Sequence, residues 1–138
     1  MNSSPAPAGA APGREPSGSP AEVPVLDLSV LRDMGIVPGP DAPAVPSDLV
    51  GLFLREERPR VERLAGLAAD RKGLELAQAA HNVAGSCAIL GARQVQAVAI
   101  SLELAGRAPD WPGAAVHLAE LHAAWARLEA ALAPFRRS

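Results

Sequence analysis

Residues 118–132 read LAELHAAWARLEAAL, and within them Leu118, Leu121, Trp125, Leu128 and Leu132 recur in alternating steps of three and four. That period sets all five on one narrow stripe of an α-helix, the seam by which a helix joins a bundle. The helix is expected over residues 113–133, behind the breakers Pro109 and Pro112, with Asp110 able to cap it. Toward the N-terminus the helical period returns. Residues 92–106 carry Val95, Val98, Ala99 and Leu102. Residues 74–90 carry Leu76, Ala80, Val83, Cys87 and Leu90, and Gly91 follows where a left-handed residue closes a helix. From an N-cap expected at Ser47, with Asp48 in the first turn, to about residue 69, Val50, Phe53, Leu54, Val61, Leu64 and Ala68 keep register across Pro59. One helix kinked at the proline is therefore expected, and its Arg55, Glu56, Arg58, Arg60, Glu62 and Arg63 read as a solvated face. Four such helices on short loops predict an all-α fold, an antiparallel up-down four-helix bundle.

The ends of the chain complete this plan. Residues 26–34 predict a short extra N-terminal helix with Leu28, Leu31 and Met34 on one side, closed by Gly35 and docked on one end of the bundle. Residues 1–23 are dominated by Pro, Ala, Gly and Ser, too little apolar surface to offset the entropy of ordering them, and are expected to be a disordered tail. Residues 24–138 then form one domain, which is all that 138 residues with 49% hydrophobic content can build around a core.

Composition removes several function classes. A net charge of −2 with no basic run interleaved with aromatics gives no reason to expect nucleic acid as a partner. No apolar stretch is long enough to span a bilayer and no secretory signal opens the chain, so no membrane association is expected and the cytoplasm is the expected compartment. Cys87 is the lone cysteine and reads as a small buried hydrophobe. The three histidines lack partners at ligand spacing, so no metal site is expected, and no Gly-rich phosphate loop, paired-carboxylate metal site or nucleotide motif is present. Trp125 reads as core, and His117 and His122 as ordinary surface or boundary residues.

The chemistry is concentrated in residues 80–92, AHNVAGSCAILGA. Around His81 the helical neighbours are Ala77, Gln78, Ala84 and Gly85, with Ala88 one turn further on. A glycine inside a helix costs about 1 kcal/mol relative to alanine, so Gly85 needs a reason. Clearance is one: without a side chain there, another protein can approach the imidazole, which is expected to be at least partly exposed. Imidazole, with an ordinary pKa of ~6.5, is largely neutral at cytoplasmic pH and is a nucleophile without a separate base. Attack through Nε2 is expected, with the other nitrogen held by a hydrogen bond. Ser86 is expected to pack or to bond back to a helix carbonyl.

This stretch resembles the signature of histidine-containing phosphotransfer (HPt) domains of bacterial phosphorelays, commonly His-x-Leu-Lys-Gly-Ser and then Leu-Gly-Ala. Here it stands as His81, Asn82, Val83, Ala84, Gly85, Ser86, then Leu90, Gly91 and Ala92. The Leu28 to Met34 and Leu52-Phe53 regions and the Leu102-Glu103 pair extend the resemblance over about residues 26–133. It implies a monomeric phosphocarrier that is not itself an enzyme and binds no cofactor. His81 would accept a phosphoryl group from an aspartate of one response-regulator receiver domain and pass it to another, with the carboxylate cluster and Mg²⁺ on the receiver. Receiver domains or a hybrid sensor kinase are the implied partners. A receiver is expected to dock over the second and third helices, on a flat apolar platform of Ala77, Ala84, Gly85 and Ala88 edged by Gln78 and Asn82. The family's usual lysine is Ala84 here, so its charge must come from an arginine elsewhere, Arg93 or Arg55, or from the partner.

Two other readings stand beside this one. The first is a docking module, a pseudo-phosphotransfer domain that binds a receiver or kinase through the patch around His81 without carrying phosphate. The second is the phosphate-accepting piece of a sensor kinase, against which Met1 argues for a free-standing protein.

Overall fold

Each of the four apolar stripes has to be covered by the others. The structure, a computed structural model that describes residues 23–39 and 48–136, closes them into a ring. The tail expected at the N-terminus and the Ser47 cap fall on undescribed residues, except for Val23. The helices are α1 (Leu28–Asp33), α2 (Leu49–Ala69), α3 (Gly73–Leu90), α4 (Arg93–Arg107) and α5 (Trp111–Leu132), followed by a 3-10 turn (Ala133–Phe135) that the periodicity had not suggested. Helix α3 packs on α4, α4 on α5, and α2 on both α3 and α5. Loops as short as 70–72, 91–92 and 108–110 allow the chain only to reverse, so neighbours run antiparallel.

The boundaries follow local chemistry. The cap of α2 is Asp48, expected in the first turn behind Ser47, because its carboxylate accepts from the N–H of Gly51 (2.9 Å), and Asp110 caps α5 as expected by accepting from the N–H of Gly113 (3.0 Å). Gly91 ends α3 with φ of 80°, in the left-handed region. A Cβ on Gly91 would also lie 2.9 Å from Cβ of Val30, so α1 seats directly against that turn, and Asp27 N–H donates to the Gly91 carbonyl at 2.8 Å. Helix α2 is continuous through Pro59.

The core is the expected set of stripes with some corrections. Leu31 and Ile36 plug the end of the bundle, whereas Leu28 and Met34, expected beside Leu31, face solvent because the helix of only Leu28–Asp33 turns a single residue inward. In α2, Leu67 is buried and Phe53 only partly so, its ring tilted against Trp125 with centroids 6.1 Å apart. Nothing in the apolar period marks Glu57, yet it is 3% exposed and accepts from Arg60 Nη1 at 2.7 Å. Cys87 is fully buried, and burial, with the nearby Glu57 charge adding to it, pushes its thiol up to about 12. It is a packing residue and not a reactive one.

Candidate functional site

Helix α3 carries His81 at its middle, with its side chain 62% exposed. The ring is held on one edge by α4: Nδ1 lies 3.2 Å from Oε1 of Glu103. The other oxygen of Glu103 accepts from Arg107, at 2.9 Å from Nη2 and 3.3 Å from Nε. The Arg107 hydrogen bond, opposed by partial burial and assisted by His81, holds the Glu103 carboxyl below the ordinary carboxylate range. An ionised carboxylate can only accept, so the proton of a neutral His81 ring sits on Nδ1 and the lone pair on Nε2. The hydrogen bond that fixes the tautomer thus comes from a residue 22 positions away in sequence.

Gly85, one turn onward, is exposed, and a Cβ built on it would meet nothing within 4 Å. Its missing side chain serves no packing purpose and leaves the approach to the ring clear. Gln78 and Asn82 are exposed and joined to each other, Nε2 to Oδ1, at 3.2 Å. The platform of small residues needs correction. Ala77 and Ala84 are 0% and 7% exposed, so they belong to the core. Positions −4 and +3 from His81 fall on the flank that turns toward α4, and the backbone there is tight: a Cβ on Gly106 would lie 3.1 Å from the Ala77 nitrogen. These alanines are small because a helix leans on them. Ala88 is half-buried. The exposed apolar surface on this face comes instead from Leu74 and Ile89, 75% and 72% exposed, two turns before and two after His81.

On the other side of His81 an open groove of about 570 Å³ runs between α3 and α2, bordered by His81, Asn82, Gly85 and Ile89 and, from α2, by Arg60 and Arg63. Neither arginine expected to replace the lysine reaches it. Arg93 is engaged with Asp27 (3.5 Å) and Gln96 (3.2 Å), and Arg55 borders a different groove with Arg58 and Pro59. Arg93 opens α4 just past the Gly91 turn, at the end of α3 that α1 covers, and Arg55 shares its groove with Arg136 near the end of the described chain.

Among the described residues no group of three or more His, Cys, Asp or Glu side chains is arranged to hold a metal ion, and no helix is long and apolar enough to cross a membrane. His117 is half-buried with Nδ1 2.9 Å from Glu120 Oε1, and His122 is exposed.

In the sequence Glu103 is marked only as half of the Leu102-Glu103 pair, and no motif marks Arg107, Arg63, Leu74 or Ile89 as site residues. The four-residue spacing of Glu103 and Arg107 signals an ion pair on one helix face. What it does not signal is the histidine on the neighbouring helix.

Compared with known proteins, residues 48–131, more than half of the chain, match a family model described as "Hpt domain". The match takes in α2 to α4 and nearly all of α5, and leaves out α1. No curated protein and no solved structure matches.

Proposed function

The chain belongs to the Hpt domain family and so to phosphotransfer in two-component signalling, and from that premise we propose that it is a phosphocarrier, taking a phosphoryl group on His81 Nε2 from a receiver-domain aspartate and passing it to another receiver. The observation that carries this reading is the hydrogen bond from His81 Nδ1 to Glu103, which leaves Nε2 unprotonated on an exposed ring beside the open space at Gly85.

In the proposed step the acyl-phosphate P–O bond of the donor aspartate breaks as the P–Nε2 bond forms, and the bonding electron pair returns to the aspartate carboxylate. The Nδ1 proton stays where it is. Phosphorylation leaves the ring cationic, and the Glu103 carboxylate offsets that charge. Transfer onward is the same step reversed. The chain supplies nucleophile, orientation and clearance, while Mg²⁺ and the acidic cluster belong to the receiver, so by itself it catalyses nothing. It acts as a monomer, since one exposed imidazole suffices. The receiver docks on the α2–α3 face, with Leu74 and Ile89 as apolar contacts and Gln78 and Asn82 at the polar edge.

The test is to mix the protein with receiver domains charged by acetyl phosphate and locate the adduct by mass spectrometry under conditions that preserve acid-labile phosphate. A phosphoryl group on His81, absent in His81→Gln, is the expected result. No adduct with any receiver, together with undiminished binding by His81→Gln, would make the protein a docking module instead. Gly85→Trp, whose Cβ would meet nothing within 4 Å, is expected to slow transfer by about tenfold or more through misplacement of the partner. Transfer at the unaltered rate would contradict the docking geometry.

A further inference from the structure

A phosphoryl group on an exposed imidazole brings close to two negative charges to the surface of α3. Helix α3 itself contains no Lys or Arg to meet them. On α4 the cation nearest the ring, Arg107, already gives two donors to Glu103. The remaining cations at the site are the two that α2 sends to the groove, and they differ in kind. Arg60 is tied to Glu57, a carboxylate 3% exposed, so its charge is largely spoken for. Arg63, on the same border of the groove, makes no hydrogen bond or ion pair among the described residues and is exposed. Asn82 completes that border, its oxygen engaged by Gln78 and its amide N–H donors unspent.

We infer that the groove between α2 and α3 is the phosphoryl-binding half of the site, with Arg63 as the guanidinium that meets the phosphoryl oxygens on His81 and Asn82 as a second donor. The inference rests on the phosphocarrier reading and adds the residue that supplies the counter-charge. A planar guanidinium presents paired N–H donors to two phosphoryl oxygens at once, which suits a group that is transferred without being released. The arrangement also differs from an acidic-partner contact, because it acts on the phosphorylated chain with no partner present.

The test uses the full chain and phosphoramidate, a P–N phosphoryl donor that transfers its phosphoryl group to Nε2 and releases ammonia. The phosphorylated protein is titrated by ³¹P NMR to read the last protonation of the phosphohistidine. In Arg63→Ala the midpoint is expected to rise by roughly half a unit or more relative to the unaltered protein, because loss of a nearby cation favours the protonated phosphoryl group. Arg63→Lys is expected to restore most of the difference, and Arg55→Ala, on the separate groove, to leave the midpoint unchanged. Equal midpoints for the unaltered protein, Arg63→Ala and the Arg60→Ala/Arg63→Ala double variant would overturn the inference while leaving His81 as the acceptor. If His81 of the unaltered protein takes no phosphate from phosphoramidate or from receivers, the phosphocarrier reading falls and this inference with it.

Discussion

Glu103 divides its two oxygens between Arg107 and His81, and the division has a pH consequence. The Arg107 hydrogen bond is the largest cause of the lowered Glu103 carboxyl pKa. The unfolded chain would titrate this group near the ordinary value of ~4.3. A group depressed in the folded state contributes stability that is complete above the unfolded value and lost as pH falls through the folded one. The His81 contact should therefore survive below the pH at which ordinary glutamates protonate. Carboxyl ¹³C titration checks this: the Glu103 midpoint is expected below the ordinary range, and Arg107→Ala is expected to raise it. A midpoint indifferent to Arg107 would mean that the ion pair does not hold in solution. Glu103→Gln loses the charge that favours the Nδ1–H tautomer and the cationic product, and is expected to slow phosphorylation of His81 roughly tenfold or more. A rate equal to that of the unaltered protein would remove Glu103 from the mechanism.

Helix α4 delivers Glu103 by lying unusually close to the start of α3. A Cβ on Gly73 would come within 2.7 Å of the Gly106 carbonyl oxygen, and one on Gly106 within 2.9 Å of the Gly73 carbonyl oxygen. Both obstacles are backbone, so neither can swing aside. Gly106→Ala is expected to cost roughly 1–3 kcal/mol in urea unfolding, from strain where the helices cross. Gly66, on the exposed side of α2, has nothing within 4 Å of a Cβ. Gly66→Ala is expected to add about 0.5–1 kcal/mol through helix propensity alone. Equal effects at the two positions would show that the crossing is not tight. The same crossing explains what was legible in the sequence. The stripes of α2 to α5, the stop at Gly91 and the Asp110 cap could be read because each is written within one helix turn or one helix period. Gly85 beside His81 was legible for the same reason. The burial of Ala77 and Ala84, the partnership of Glu103 with His81 and the approach of Arg63 to the groove depend on how one helix is rotated against the next. Linear spacing contains no term for that rotation, and this is why Arg63 reads in the sequence only as part of a solvated face.

At the scale of the molecule, the bundle is a holder for one ring. Every long helix buries its stripe in one continuous core, and α1 closes an end by setting Leu31 and Ile36 into it. His81 sits mid-helix on this scaffold, so in the proposed docking a receiver would meet a surface already shaped, with an apolar face at Leu74 and Ile89 and the groove that Arg63 borders beside it. Donor and acceptor receivers would meet the same face in turn, which is what a reversible carrier requires. In the proposed transfer the outward nitrogen of His81 is the reactive one. The most direct test is long-range ¹H–¹⁵N and ³¹P NMR of the ¹⁵N-labelled protein before and after phosphorylation. The expected result is a proton on Nδ1 beforehand and phosphorus on Nε2 afterwards. Phosphorus on Nδ1, or an Nε2 that carries the proton in the neutral ring, would contradict it.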